Sequence, residues 1–188
     1  MRVIAGKYRS RRLRSLPDLD LRPTADKLRE TLFDVLTAGN PRSLEGTVWI
    51  DLFAGTGAVG IEALSRGAGM VYFVESAPRG VELIRKNLAV LEVTANFKVV
   101  KRDSIRALQE LASSGVQADF VFLDPPYRLQ EAYRQALDQL SKSDLLKPAS
   151  LVIAEHHKKF DPPEAFATLR RSRKLVQGET ALSFYRMS

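Results

Sequence analysis

The stretch "FVFLDPPYRL", residues 120–129, runs an apolar segment into an aspartate, two prolines and a tyrosine. Proline donates no ladder hydrogen bond, so a buried strand here must end at the acid. A carboxylate, a rigid turn and an aromatic face are thereby fixed together at one strand end. Three earlier apolar runs also end at an acid: "TVWID" at Asp51, "VYFVE" at Glu75 and "FKVVKRD" at Asp103. The first leads into "FAGTGAVG", where Gly55, Gly57 and Gly60 have the spacing of a dinucleotide fingerprint. A strand-end carboxylate four residues ahead of Gly55 would repel a pyrophosphate and attract an ammonium group. A carboxylate at the end of the next strand suits the hydroxyls of a ribose, and one at the third can accept from an adenine amino group. A ligand with a cationic end, a ribose and an adenine is better described by S-adenosylmethionine than by NAD. The plainer reading of any one acid is a helix cap, and Asp103 stands just where it would cap a helix starting at Ser104.

The elements that must position these residues alternate regularly. Strands are expected at 47–53, 70–76, 96–103, 118–124 and 149–156, and helices at 58–68, 78–91, 104–112 and 129–140. Near-continuous apolar strands joined through helices predict a mostly parallel sheet covered on both faces. Such sheets bind ligands at the carboxyl ends of their strands. The tail predicts an antiparallel pair turning near Gly178, completing a seven-stranded α/β sheet. Ahead of it, residues 2–16 predict a basic hairpin turning near Gly6. Residues 22–36 predict a helix with Thr24 as its N-cap and Gly39 after its end. The expected division is a basic N-terminal hairpin and helix over 1–40 and a catalytic domain over 41–188.

The chain has 188 residues and a net charge of +7, unevenly spread. Residues 1–29 carry nine Lys/Arg and three Asp/Glu, residues 30–155 thirteen and sixteen, and residues 156–188 seven and three. A mildly acidic core with two basic ends fits a partner rich in phosphate. Arg9, Arg11, Arg12 and Arg14, with Arg22 further on, are the candidate nucleic-acid contacts. No cysteine is present, which excludes disulfides and thiolate chemistry and fits a cytoplasmic enzyme. The two histidines, His156 and His157, are adjacent, and no metal site is expected. No secretory signal or membrane-spanning run is read, and a monomer is expected.

"DPPY" resembles the [D/N/S]-P-P-[Y/F/W] motif of methyltransferases acting on exocyclic amino groups. The whole chain resembles the bacterial 16S ribosomal RNA guanine-N2 methyltransferase family, small-subunit ribosomal RNA methyltransferase D. The resemblance runs through "RVIAG", "RPTADKLRETLFDVL" (22–36), "DLFAGTGAVGIEALSRGA" (51–68), "VYFVE" (71–75) and "FLDPPY" (122–127), in order and spacing. It implies a Rossmann-like class I S-adenosylmethionine-dependent methyltransferase acting on N2 of guanine 966 in 16S ribosomal RNA. The substrate would be that RNA or the assembling small subunit. By this resemblance the Asp124 carboxylate and the Pro125 carbonyl accept the two amino hydrogens, and Tyr127 stacks on the target base. Asp51, Phe53, Gly55 and Gly57 would line the methionine part of the cofactor, Glu75 the ribose, and Asp103 with Ser104 the adenine end. Arg22 and Thr24 would border the site, and Glu155 is either an edge residue of it or a surface acid. The rivals are a DNA adenine-N6 or cytosine-N4 methyltransferase, for which the chain has no length left for a target-recognition domain, and a protein-glutamine methyltransferase, which would favour Asn at 124. A non-catalytic RNA-binding assembly factor and an NAD-dependent dehydrogenase are the others.

Overall fold

The computed structural model describes residues 1–15, 23–126 and 128–188, and of residues 23–25 the backbone alone. Helix α1 (Pro23–Thr37) leads to β1 (Val48–Asp51), α2 (Ala58–Ser65), β2 (Met70–Val74), α3 (Pro78–Val90) and β3 (Phe97–Val100). Then come α4 (Ser104–Ser113), β4 (Ala118–Leu123), α5 (Gln130–Ser141), β5 (Leu146–His157), β6 (Ala165–Phe166), β7 (Leu169–Gln177) and β8 (Thr180–Met187). One sheet holds all the strands in the order β3-β2-β1-β4-β5-β8-β7-β6. β1 to β5 pair parallel, and β8, β7 and β6 pair antiparallel. The seven expected strands are present, and the two-residue β6 adds an eighth at the edge.

Strand residues alternate between two cores. Trp49, Phe73, Phe122 and Ile153 point to the face covered by α1, α2 and α3. Ile50, Val74, Val121 and Val152 point to the face covered by α4 and α5. The helices bury the stripes their sequences carry: Leu83, Ile84 and Leu88 in α3, Ala107, Leu108 and Leu111 in α4, and Tyr133, Ala136, Leu137 and Leu140 in α5. Trp49 is fully buried, stacked between Phe33 of α1 at 5.4 Å and Phe120 at 5.2 Å.

Two expectations change. α1 begins at Pro23, so Thr24 lies in its first turn rather than at the N-cap. Proline is pre-set for the first helical position, where a missing N–H costs nothing. β5 begins three residues earlier than expected, through Pro148. Its pairing with β4 shifts register between Ala118 and Phe120, an irregularity of the kind that lets a strand accept proline.

The N-terminal segment is a compact turn closed by an antiparallel bridge between Arg2 and Arg12. It is fastened to α2 and α3. Glu62 of α2, fully buried, accepts from the backbone N–H of Ile4 (2.8 Å) and Ala5 (2.9 Å) and from Arg66 Nε (2.8 Å). Arg29 Nε stands 3.9 Å from its other oxygen. Ser65 Oγ accepts from Tyr8 N–H and donates to the Ala5 carbonyl. Val3 and Leu13 enter the α1–α3 core.

Candidate active site

The sheet reverses its winding between β1 and β4, which are adjacent but far apart in sequence. A crevice forms at the carboxyl ends of strands where winding reverses. Asp51 is the last residue of β1, and Asp124 directly follows the last residue of β4.

On the β1 side, Asp51 is buried and its Oδ2 accepts from Gly60 N–H (2.9 Å) at the start of α2. The intervening turn carries half-buried Phe53. Gly55 has φ +53°, and Gly57, the N-cap of α2, has φ +79°. This left-handed backbone favours glycine. Glu75 follows β2. Its Oε2 accepts from Gly55 N–H (2.8 Å) and its Oε1 from Ala77 N–H (2.7 Å), so the carboxylate bridges the two turns. A Cβ on Gly80 would lie 2.7 Å from Glu75 Cγ, so glycine there leaves room for the acid. Each Glu75 oxygen keeps a lone pair for a ligand hydroxyl, and the side chain stays half-buried at the rim.

Asp103 is exposed and caps α4: Oδ1 accepts from Arg106 N–H (3.0 Å), and Oδ2 lies 3.5 Å from Arg106 Nε. The cap role is thus real for this acid. It leaves acceptor capacity at the rim beside half-buried Ser104.

On the β4 side, Asp124 is half-buried and Pro125 buried. Tyr133 of α5 reaches under this turn, its hydroxyl 2.8 Å from the Glu155 carbonyl and 3.3 Å from the Pro125 carbonyl. Burial pushes the Asp124 carboxyl up to about 7. Burial does the same to Asp51, also to about 7; the Gly60 amide opposes it, and the Asp124 and Glu75 charges add to it. Glu155 on β5 is raised as well, by burial and the Asp124 charge, with Arg29 acting against it. Glu155 is half-buried and follows Ala154, the β5 partner of Leu123, as Asp124 follows Leu123. A crevice of half-desolvated carboxylates is a receptor for a cation.

Tyr127 and Arg22 lie outside the described residues, as does the side chain of Thr24. Of the arm cations, Arg9, Arg12 and Arg14 are exposed, and Arg11, also exposed, donates to the Val90 carbonyl (2.7 Å). The arm reaches the glycine turn after β1 through Asn87 of α3. Its amide exchanges hydrogen bonds with the Arg14 backbone (2.8 and 3.1 Å) and donates to the Thr56 carbonyl (2.9 Å). Sequence reasoning missed Glu62, Asn87 and Tyr133. For two of them a signal existed: an acid within the otherwise apolar "AVGIEALS", and an amide on the buried face of α3, must each find partners inside.

Glu75→Ala removes a carboxylate held by two amides at the rim. It is expected to weaken binding of an adenosine-containing ligand by about 1–3 kcal/mol, the scale of charge-assisted hydrogen bonds. Calorimetry with S-adenosylhomocysteine on a folded variant checks this, and unchanged affinity would take Glu75 out of the site.

A family model described as conserved hypothetical protein 95 matches residues 1–186. Ribosomal RNA small subunit methyltransferase D of Haemophilus influenzae is 36% identical over 159 residues, 84% of this chain and 79% of that one. The protein of the same name in Escherichia coli K12 is 33% identical over 185 residues, 98% of this chain and 89% of that one. The solved structure of yhhF from Escherichia coli superposes with a TM-score of 0.81 at 29% identity, covering 100% of this chain and 98% of that one. Sequence likeness over nearly the whole length thus agrees with a sheet whose switch point is flanked by Asp51 and Asp124, and the chain belongs to the ribosomal RNA small subunit methyltransferase D family.

Proposed function

We propose that the protein methylates the exocyclic N2 amino group of a guanine in 16S ribosomal RNA, guanine 966 by family resemblance, with S-adenosylmethionine as methyl donor. The observation that carries the reading is that the two adjacent parallel strands of the switch point lead into carboxylates at the same end, Asp51 before the glycine turn and Asp124 before the Pro-Pro turn. S-adenosylmethionine, when bound, supplies an electrophilic methyl on a sulfonium. Asp51, with Phe53, Gly55 and Gly57, receives its cationic amino-acid end. Glu75 accepts from the ribose, and Asp103 and Ser104 from the adenine end.

The amino nitrogen of guanine is a weak nucleophile because its lone pair is delocalised into the ring. Asp124 and the Pro125 carbonyl accept hydrogen bonds from its two N–H groups, which favours a pyramidal nitrogen with the lone pair directed outward, and the Asp124 carboxylate takes the proton that the nitrogen sheds once methylated. The rigid turn keeps both acceptors in place without reorganisation. Tyr127 provides the stacking face for the extruded base. Arg9, Arg11, Arg12, Arg14 and Arg22 supply phosphate contacts, with residues 1–40 forming the RNA-contacting extension of the catalytic domain. The test is transfer of labelled methyl to small-subunit ribosomal RNA, naked and assembled, against duplex DNA and protein. Mass mapping of the product is expected to return N2-methylguanosine. Label in DNA or protein alone, or in another nucleoside, overturns the reading.

The acceptor role needs Asp124 ionised. With that carboxyl near 7 in the free protein, kcat/KM is expected to rise by at least about tenfold between pH 6 and pH 8 and then level, as a group titrating near 7 requires. Stability runs the other way. Asp51 and Asp124 hold protons more tightly folded than unfolded between about pH 4 and pH 7. Their contribution is present below that window and is lost as pH rises through it, so the ligand-free protein melts lower at pH 7.5 than at pH 5.5 on their account. A flat activity profile from pH 6 to pH 8 would contradict the assignment.

A further inference from the structure

Beside the Pro-Pro turn lies a pocket of about 190 Å³ lined by Gln130, Tyr133, His157, Lys159 and Phe160. It stands at the same end of the sheet as the strand-end acids, since β5 runs parallel to β4 and its last residues line it. Its wall is Tyr133, the ring whose hydroxyl reaches the Pro125 carbonyl. Tyr133 thus joins the pocket lining to the carbonyl of the residue after Asp124, at 3.3 Å. The volume is below the roughly 300–1,000 Å³ of sites that enclose a whole drug-sized ligand, so it admits a fragment such as one base.

The lining has the chemistry of a nucleotide. Phe160 is half-buried, its ring held by Tyr133 (centroids 5.1 Å) and edge-on to His156 (6.0 Å), a preformed aromatic surface. Lys159 is exposed and makes no ion pair among the described residues, whereas its neighbour Lys158 is tied to Glu179 at 2.6 Å. Gln130 brings an amide that donates and accepts. Aromatic faces with cations at their rim are one way proteins hold single-stranded nucleic acid.

We propose that this pocket holds the nucleotide adjoining the methylated guanine in the RNA strand, its base against Phe160 and its phosphate on Lys159. The proposal rests on the RNA reading above and adds a second point of grip next to the reacting base. Holding that neighbour fixes the strand on one side of the target once the target has left its stack.

The test uses the full chain and a small-subunit RNA that accepts the methyl group. The variants are Lys159→Ala, at an exposed position, and Phe160→Leu, which keeps an apolar side chain but removes the ring; their melting temperatures are measured alongside. Each is expected to raise KM for RNA about five- to tenfold, with S-adenosylhomocysteine affinity unchanged. The RNA is also made abasic, one position at a time, on either side of the target. One of these positions is expected to cost the wild type several-fold in binding and to cost Phe160→Leu nothing further, because ring and base act as a pair. If every abasic position costs both proteins equally, the pocket does not take a base and the proposal fails while the activity stands. If the wild type transfers no methyl to RNA at all, the functional reading falls and this one with it.

Discussion

Asp124→Ala is expected to lower single-turnover methyl transfer to RNA by about a hundredfold or more while leaving cofactor affinity nearly intact. The magnitude is that of removing one preorganised acceptor or donor from a reacting centre. The separation of effects follows from position. Asp124 directly follows β4, whereas Asp51 ends β1 and Gly55 and Glu75 stand on the turns after β1 and β2. Removing the acid also removes one charge that raises Asp51, so the Asp51 carboxyl falls and the cationic end of the cofactor is held no less well. Rapid-quench transfer with enzyme in excess, together with calorimetric cofactor binding, reads the two separately. Wild-type turnover in the folded variant would sink the acceptor role.

The second large effect is on stability. Glu62→Ala is expected to cost about 3–5 kcal/mol, the range for breaking a buried charge cluster by removing one member. The carboxylate is fully buried and serves two arm amides and Arg66, with Arg29 close by. Its loss leaves Arg29 with Asp26 (3.0 Å) as its one carboxylate neighbour among the described residues, takes the partner of Arg66 Nε, and removes the only acceptor found for the Ile4 and Ala5 N–H groups among the described residues. At about 2–4 °C per kcal/mol for a chain of this size, the melting temperature should fall by roughly 10 °C. Glu62→Gln, which keeps an acceptor oxygen, should recover part of the loss. A melting temperature within a degree or two of wild type would show that the cluster is not holding the arm.

What could be read from the sequence has a physical pattern. The strands were legible because a parallel sheet buried on both faces demands unbroken apolar runs, and "VWID", "MVYFV" and "ADFVFL" have no other use. The acids were legible because they interrupt those runs at the end where ligands collect. The start of α1 was misplaced because Thr24 is a good cap and Pro23 a good first residue, and local chemistry alone does not rank them. β6 escaped notice because two residues carry no period. Tyr133 reads as one more apolar position in the stripe of α5; only the tertiary fold places its hydroxyl beneath Pro125. Asn87 shows the same limit, since an amide on a buried face must be satisfied, but by what is decided 73 residues away at Arg14.

That distance bears on the order in which the molecule is made. The amides of Ile4 and Ala5 find their acceptor 58 and 57 residues later in the chain, and Arg14 finds Asn87 after 73. At about 5–20 residues per second, synthesis delivers those partners roughly 3–15 s after the arm itself has emerged. Through that interval the most cationic stretch of the protein has no native surface to rest on. The segment translated first is therefore among the last to be placed, and it docks only when α2 and α3 have assembled on the sheet. Any change that delays α3 leaves the arm loose for longer, with Arg2, Lys7, Arg9, Arg11, Arg12 and Arg14 all available to whatever polyanion lies nearest.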